Sequence, residues 1–132
     1  MKHEPHNPHS DCPFCKLAPE VTILLETETA RAILDSFPVS KGHTLIIPKH
    51  HTANYFDLTP EEQTELWTLV NQTKQKLDHL YHPDGYNIGI NINSPAGQTV
   101  FHVHIHLIPR YHHDTPHPRG GVRGVIPEKR GY

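Results

Sequence analysis

The chain has 132 residues, enough for one domain with a core of its own and no need of disulfides. Its net charge is −2, and the five Lys or Arg against two acids in residues 110–132 leave residues 1–109 at −5, which excludes a general nucleic-acid binder with a basic face across the fold. No apolar run is long enough to span a bilayer and the first five residues are polar rather than a signal segment, so the expectation is a cytoplasmic protein with no membrane partner.

Residues 1–11 carry His3, His6 and His9 among Pro, Asn and Glu without any periodic apolar pattern, the composition of a flexible tail. The domain is expected over residues 12–110, opening on Cys12-Pro13-Phe14-Cys15. Redox pairs of this spacing sit between a strand and a helix, and nothing strand-like precedes Cys12. The pair therefore reads first as half of a structural zinc site that needs two further His or Cys ligands, with a free or locally bridged thiol pair as the alternative.

Two β-branched runs, residues 21–26 and 29–35, flank a Glu-Thr-Glu-Thr stretch and predict an antiparallel hairpin. A loop follows over residues 37–42, then a buried strand over residues 43–48 that stops at Pro48 and is followed by Lys49-His50-His51. Thr59-Pro60-Glu61-Glu62 is a helix start, with Thr59 at the N-cap, Pro60 at N1 and Glu62 placed for a capping box. The stripe Leu66, Leu69, Val70, Leu77, Leu80 and Tyr81 predicts a helix that covers the sheet, with Trp67 packed rather than catalytic and Pro83-Asp84-Gly85 ending it.

Residues 86–93 alternate polar and apolar and predict a strand paired with residues 101–110. Between them Ser94-Pro95-Ala96-Gly97-Gln98-Thr99 is a loop of small residues whose backbone amides could approach an anion. In Phe101-His102-Val103-His104-Ile105-His106-Leu107 the period of two sends the apolar residues to a core and aligns the three imidazoles on the other face, roughly 6 to 7 Å apart. Residues 111–132 form a C-terminal extension whose arginines suit phosphate recognition, with a solvated tail as the alternative.

Three histidines in one row can chelate a catalytic metal, attack an electrophile with helpers, or present a passive metal-binding surface. A catalytic metal wants a nearby unligated acid as general base, and residues 86–110 contain no acid. A nucleophile wants one neutral imidazole in a fixed tautomer, a cradle for the attacked anion and a proton donor for the leaving group, for which Gln98, Thr99 and the loop amides are available.

These residues resemble the histidine triad (HIT) family, whose His-φ-His-φ-His-φ-φ motif stands here as His102-Val103-His104-Ile105-His106-Leu107-Ile108. Ala96-Gly97-Gln98-Thr99-Val100 and Lys41-Gly42-His43-Thr44-Leu45-Ile46-Ile47-Pro48-Lys49 extend the likeness over about residues 12 to 110. The resemblance implies an α+β domain, with a mainly antiparallel sheet of about five strands and one long helix, assembled as a homodimer. It implies a hydrolase or transferase of purine nucleotides that works through a nucleotidyl-histidine intermediate. His104 would attack the α-phosphorus, His106 would bind the non-bridging oxygens, Gln98 and Thr99 the phosphates and leaving-group side, Asn91 would support the site, and Asp35 would bind the ribose hydroxyls. Phe14, Leu17 and Ile33 match positions lining the base pocket. Structural Zn2+ would sit on Cys12, Cys15, His51 and His102, with His50 as the alternative third ligand.

Two substrate signals conflict. Ile108-Pro109-Arg110 resembles the dinucleoside polyphosphate branch, and Asp35 resembles the nucleoside phosphoramidase branch. A zinc-stabilised nucleotide-binding protein without catalysis and a hydrolase ligating metal through the three triad histidines are the rivals from other classes.

Overall fold

The computed structural model describes residues 11–131; the tail expected over residues 1–11 lies, but for Asp11, outside them. Five strands form one sheet: β1 (Ile23–Glu26), β2 (Ala30–Leu34), β3 (Thr44–Pro48), β4 (Gly85–Gly89) and β5 (Ile105–Arg110), in the order β1-β2-β3-β5-β4. Every neighbouring pair is antiparallel. One helix, α1 (Pro60–Tyr81), crosses one face. This is the α+β architecture expected from the sequence.

Strand periodicity divides the buried side chains between two faces. Ala30, Ala32, Ile46, Ile105 and Leu107 point to α1 and meet Leu66, Leu69, Val70 and Leu77. Ile33, Leu45 and Ile47 point the other way and form a second cluster with Phe14, Leu17 and Val21. β3 lies inside the sheet with both faces covered, which is why all five of its residues are buried and its sequence does not alternate.

α1 starts where its cap chemistry places it: the Thr59 hydroxyl accepts from the Glu62 amide and the Glu62 carboxylate accepts from the Thr59 amide, completing the capping box. The helix stops at His82, which takes a left-handed φ of 54° one residue before Pro83. Leu80, expected in the apolar stripe, is 48% exposed, and Thr73 takes a buried place among the leucines. Trp67 stands at the helix surface and donates its indole N–H to the Tyr55 hydroxyl at 2.9 Å.

Two strand boundaries differ from the sequence expectation. β4 ends at Gly89 rather than at residue 93, and β5 starts at Ile105 rather than at residue 101. The early part of the histidine stretch leaves the ladder because its groups bond elsewhere: Val103 donates its amide to Thr52 O at 2.8 Å, and the His102 ring reaches Pro48 O. Phe101 consequently falls outside the core, 51% exposed.

The extension after β5 is folded. Arg110 donates to both carboxylate oxygens of Asp114 at 2.8 Å and to Asn87 Oδ1 at 2.6 Å, fastening the extension to β4. Arg123 donates to the carbonyls of Lys129 and Arg130, closing the short turns at Gly121–Val125 and Pro127–Lys129. Arg119, Arg123 and Arg130 do not line the cavity described next.

Candidate active site

The sheet face opposite α1 opens into a cavity of about 410 Å³. Its apolar wall comes from Phe14, Leu17, Val21, Ile33 and Leu45, and its polar rim from Asp35, Asn91, Thr99, His104 and His106. Residues far apart in the chain meet here because β2, β3 and β5 lie side by side, with Leu45 of β3 directly opposite His106 of β5. The segment around the two cysteines packs across this face and supplies the outer wall.

Hydrogen bonds hold the imidazoles in defined tautomers. His104 is buried and its Nδ1 lies 2.8 Å from the carbonyl oxygen of His102. A carbonyl only accepts, so Nδ1 carries the proton and Nε2 keeps its lone pair in the neutral ring. His106 is fixed through a residue the sequence singled out only as part of a family motif. His43 accepts the Val39 amide on Nδ1 at 3.1 Å, which leaves its proton on Nε2. That nitrogen lies 3.0 Å from His106 Nδ1 and 3.4 Å from Asp35 Oδ2. His106 Nδ1 is then an acceptor, and its own proton sits on Nε2.

Burial, with His104 and His43 adding to it and Asp35 opposing, pushes His106 down to about 4 from the ordinary 6.5. Burial also lowers His43, against the pull of Asp35. Both rings are neutral at neutral pH, as these tautomers require. The His104 and His106 centroids are 5.1 Å apart, closer than ideal strand spacing, because the rings tilt toward each other at 66°. An unprotonated nitrogen beside a neutral N–H donor can attack an electrophile while an adjacent group holds its anionic oxygens.

The glycine before His43 is required by packing. Gly42 has φ +89°, and a Cβ there would lie 2.9 Å from the Tyr81 ring.

The loop ahead of the histidines behaves differently from the expectation. The family resemblance places Gln98 at the phosphates, and its side chain is buried and hydrogen-bonded: Oε1 accepts the Asn93 amide at 2.7 Å, and Nε2 donates to Ala53 O at 2.8 Å and Val100 O at 3.1 Å. It ties the loop to the segment after β3. The amides of Ala96, Gly97 and Gln98 close the turn on Asn93 O and Ser94 O, so these do not form the anion cradle. Thr99 and Asn91 remain on the cavity rim.

A second cluster lies behind His104. The donor atoms of Cys12, Cys15, His51 and His102 all fall within 4.8 Å of one another. Cys15 Sγ is 3.0 Å from His51 Nδ1 and 3.4 Å from His102 Nδ1, and Cys12 Sγ is 3.4 Å from His102 Nδ1. Tetrahedral zinc, with bonds of about 2.3 Å to sulfur and 2.0–2.1 Å to nitrogen, separates its donors by roughly 3.3–3.8 Å. The set fits. Fully buried His102 donates Nε2–H to Pro48 O at 2.8 Å and turns Nδ1 to the cluster, the outer hydrogen bond usual for a metal-binding imidazole. Burial and the neighbouring Cys12 push the Cys15 thiol up to about 11, the opposite of what a bound cation would impose. His50 points away and pairs with Glu62 at 3.2 Å, leaving His51 as the third donor.

The triad rings themselves do not converge on one point: His102 joins the cysteines, whereas His106 joins His43 and Asp35. That arrangement disfavours the three-histidine metal hydrolase.

A family model described as HIT domain matches residues 18–113. The chain belongs to the HIT domain family. Other HIT proteins resemble it in sequence and in fold. It is 43% identical over 86 residues to an uncharacterised HIT-like protein of Mycoplasma pneumoniae, covering 65% of this chain and 60% of that protein. It is 37% identical over 97 residues to the asymmetrical bis(5'-nucleosyl)-tetraphosphatase of Schizosaccharomyces pombe, covering 74% of this chain and 53% of that protein. It therefore spans between half and two thirds of the length of these two relatives. A zinc-bound histidine triad family protein from Mycobacterium smegmatis superimposes with a TM-score of 0.74 at 37% identity, over 80% of this chain and 78% of that one.

Proposed function

We propose that this HIT protein hydrolyses dinucleoside polyphosphates of the diadenosine tetraphosphate kind through a nucleotidyl-histidine intermediate. The observation that carries the reading is the His104 ring: its Nδ1–H is donated to the His102 carbonyl, so in the neutral ring Nε2 is the nitrogen with the available lone pair, on a cavity that also holds His106. His104 Nε2 attacks the α-phosphorus, a P–N bond forms, and the P–O bond to the leaving nucleotide breaks. Water then cleaves the P–N bond and releases a nucleoside monophosphate. His106 donates Nε2–H to the non-bridging oxygens, where negative charge grows.

The apolar wall of Phe14, Leu17 and Ile33 takes the base and the Asp35 carboxylate the ribose hydroxyls. Thr99 faces the leaving-group side and Asn91 supports the loop. Cys12, Cys15, His51 and His102 would hold zinc, which when bound supplies a structural cross-link and no chemistry at phosphorus. The fission yeast relative's tetraphosphatase activity supports the polyphosphate, as does Ile108-Pro109-Arg110. Asp35 at the ribose position favours the second reading, an adenosine phosphoramidase using the same nucleophile.

A cytoplasmic homodimer belongs to the same reading: no described helix is long and apolar enough to cross a membrane, and β4 is an edge strand carrying half-exposed Ile88. Incubation with diadenosine tetraphosphate and with adenosine 5'-phosphoramidate decides the substrate. Faster turnover of the polyphosphate, abolished in His104→Ala, is expected. Turnover of the phosphoramidate alone would replace the first reading by the second, and turnover of neither would leave a nucleotide-binding protein.

A further inference from the structure

Phe14 occupies an unusual place between the two cysteines. Its ring lies edge-on to His104 at 5.1 Å and to His102 at 5.9 Å, and it lines the cavity next to Pro13. The turn that carries it is closed by two hydrogen bonds onto Cys12 O, from the Cys15 amide at 3.2 Å and the Lys16 amide at 3.1 Å. Residues 11–20 join no strand. The turn is therefore attached to the sheet by the sulfur and imidazole cluster on one side and by Phe14, Leu17 and Val21 packing on Ile33, Leu45 and Ile47 on the other.

We propose that Phe14 is a positioning residue that couples metal occupancy of the Cys12–Cys15 turn to nucleotide binding in the cavity. The proposal rests on the nucleotide-hydrolase reading of that cavity. Four donors drawn onto one ion fix the distance between the turn and His102, and with it the place of the Phe14 ring against His104 and the base wall. Without the ion the turn keeps its apolar packing and the cluster's hydrogen bonds but loses the four ligand bonds, so the turn loosens and with it the outer wall of the cavity. Ligand binding then has to restore that order, so affinity falls. The linkage is reciprocal: a nucleotide that needs the ordered turn must tighten the metal by the same factor.

The test measures AMP binding to the full chain by calorimetry, zinc-loaded and chelator-stripped, together with zinc affinity by competition with a chromophoric chelator with and without AMP. AMP should bind about tenfold more tightly to the loaded protein, and AMP should raise zinc affinity by the same factor. In Phe14→Ala both factors should fall toward one, with Phe14→Leu, which keeps apolar bulk and loses the ring edge, in between. Asp35→Asn, on the cavity rim and away from the attachments of the turn, should weaken AMP in both forms and keep the ratio. A stripped chain that fails to fold leaves the chelator competition, which starts from loaded protein and compares wild type with the Phe14 variants. Equal AMP affinity for both wild-type forms, or an unchanged factor in Phe14→Ala, overturns the coupling and leaves the hydrolase reading standing. Loaded protein that binds no AMP overturns that reading and the coupling with it.

Discussion

His43 shows how much of this site depends on a single proton. Its Nδ1 accepts from Val39 and its Nε2 donates toward His106, so the donor that His106 presents to the cavity is set one ring away. Replacing His43 by Ala frees His106 to adopt either tautomer, and kcat should fall by roughly 10–100-fold, the usual effect of removing an outer hydrogen-bond partner, with KM changed less. Steady-state kinetics on His43→Ala and His43→Gln checks this; an unchanged kcat in both would remove the tautomer lock. His106 also predicts a pH dependence of stability. Its folded value of about 4 lies below the ordinary 6.5, so the unfolded chain binds more protons between these values. The contribution is present in full above about pH 6.5 and is lost as pH falls toward 4. Urea midpoints measured across that window should fall with acid, and His106→Gln should flatten the slope.

At the scale of elements, the sheet face and the helix were legible in the sequence for different reasons. Period-two alternation in β2 and in residues 105–109 separates the two faces, and the Thr59 capping box marks the helix start. The start of β5 was not legible, because the His102 ring and the Val103 amide find partners at Pro48 and Thr52, positions that only the folded chain brings near. The structural engagement of Gln98 was not legible for a related reason. A glutamine in a loop of small residues reads as a ligand contact, and only the fold shows its amide engaged with Asn93, Ala53 and Val100. Gln98→Ala should therefore destabilise the protein by about 1–3 kcal/mol through its unsatisfied buried partners, with a thermal shift as the readout. Thr73 runs the other way. Its hydroxyl is buried in α1 with no hydrogen-bond partner among the described residues, so Thr73→Val should raise stability by roughly 1 kcal/mol in a denaturant titration.

At the scale of the molecule, the cluster of Cys12, Cys15, His51 and His102 joins the Cys12–Cys15 turn to the segment after β3 and to the histidine stretch. The sequence displayed the cysteine pair, and the family resemblance supplied the two histidines; the choice of His51 over His50 required the Glu62 contact that turns His50 outward. Chelator treatment of zinc-loaded protein should lower the thermal midpoint by roughly 10 °C, the shift that about 3 kcal/mol of ligand stabilisation produces in a domain of this size. No change would show that the four donors hold no structural metal.

The two clusters share His102, whose ring faces the cysteines and whose carbonyl oxygen orients His104. In the proposed reaction His104 becomes covalently nucleotidylated. Intact-mass and peptide spectrometry on protein quenched in acid-free conditions during turnover of diadenosine tetraphosphate tests it most directly. An adduct of one adenylyl group on the peptide containing His104, absent in His104→Ala, is the predicted result. Hydrolysis by His104→Ala at the wild-type rate, or an adduct on any other residue, would contradict it.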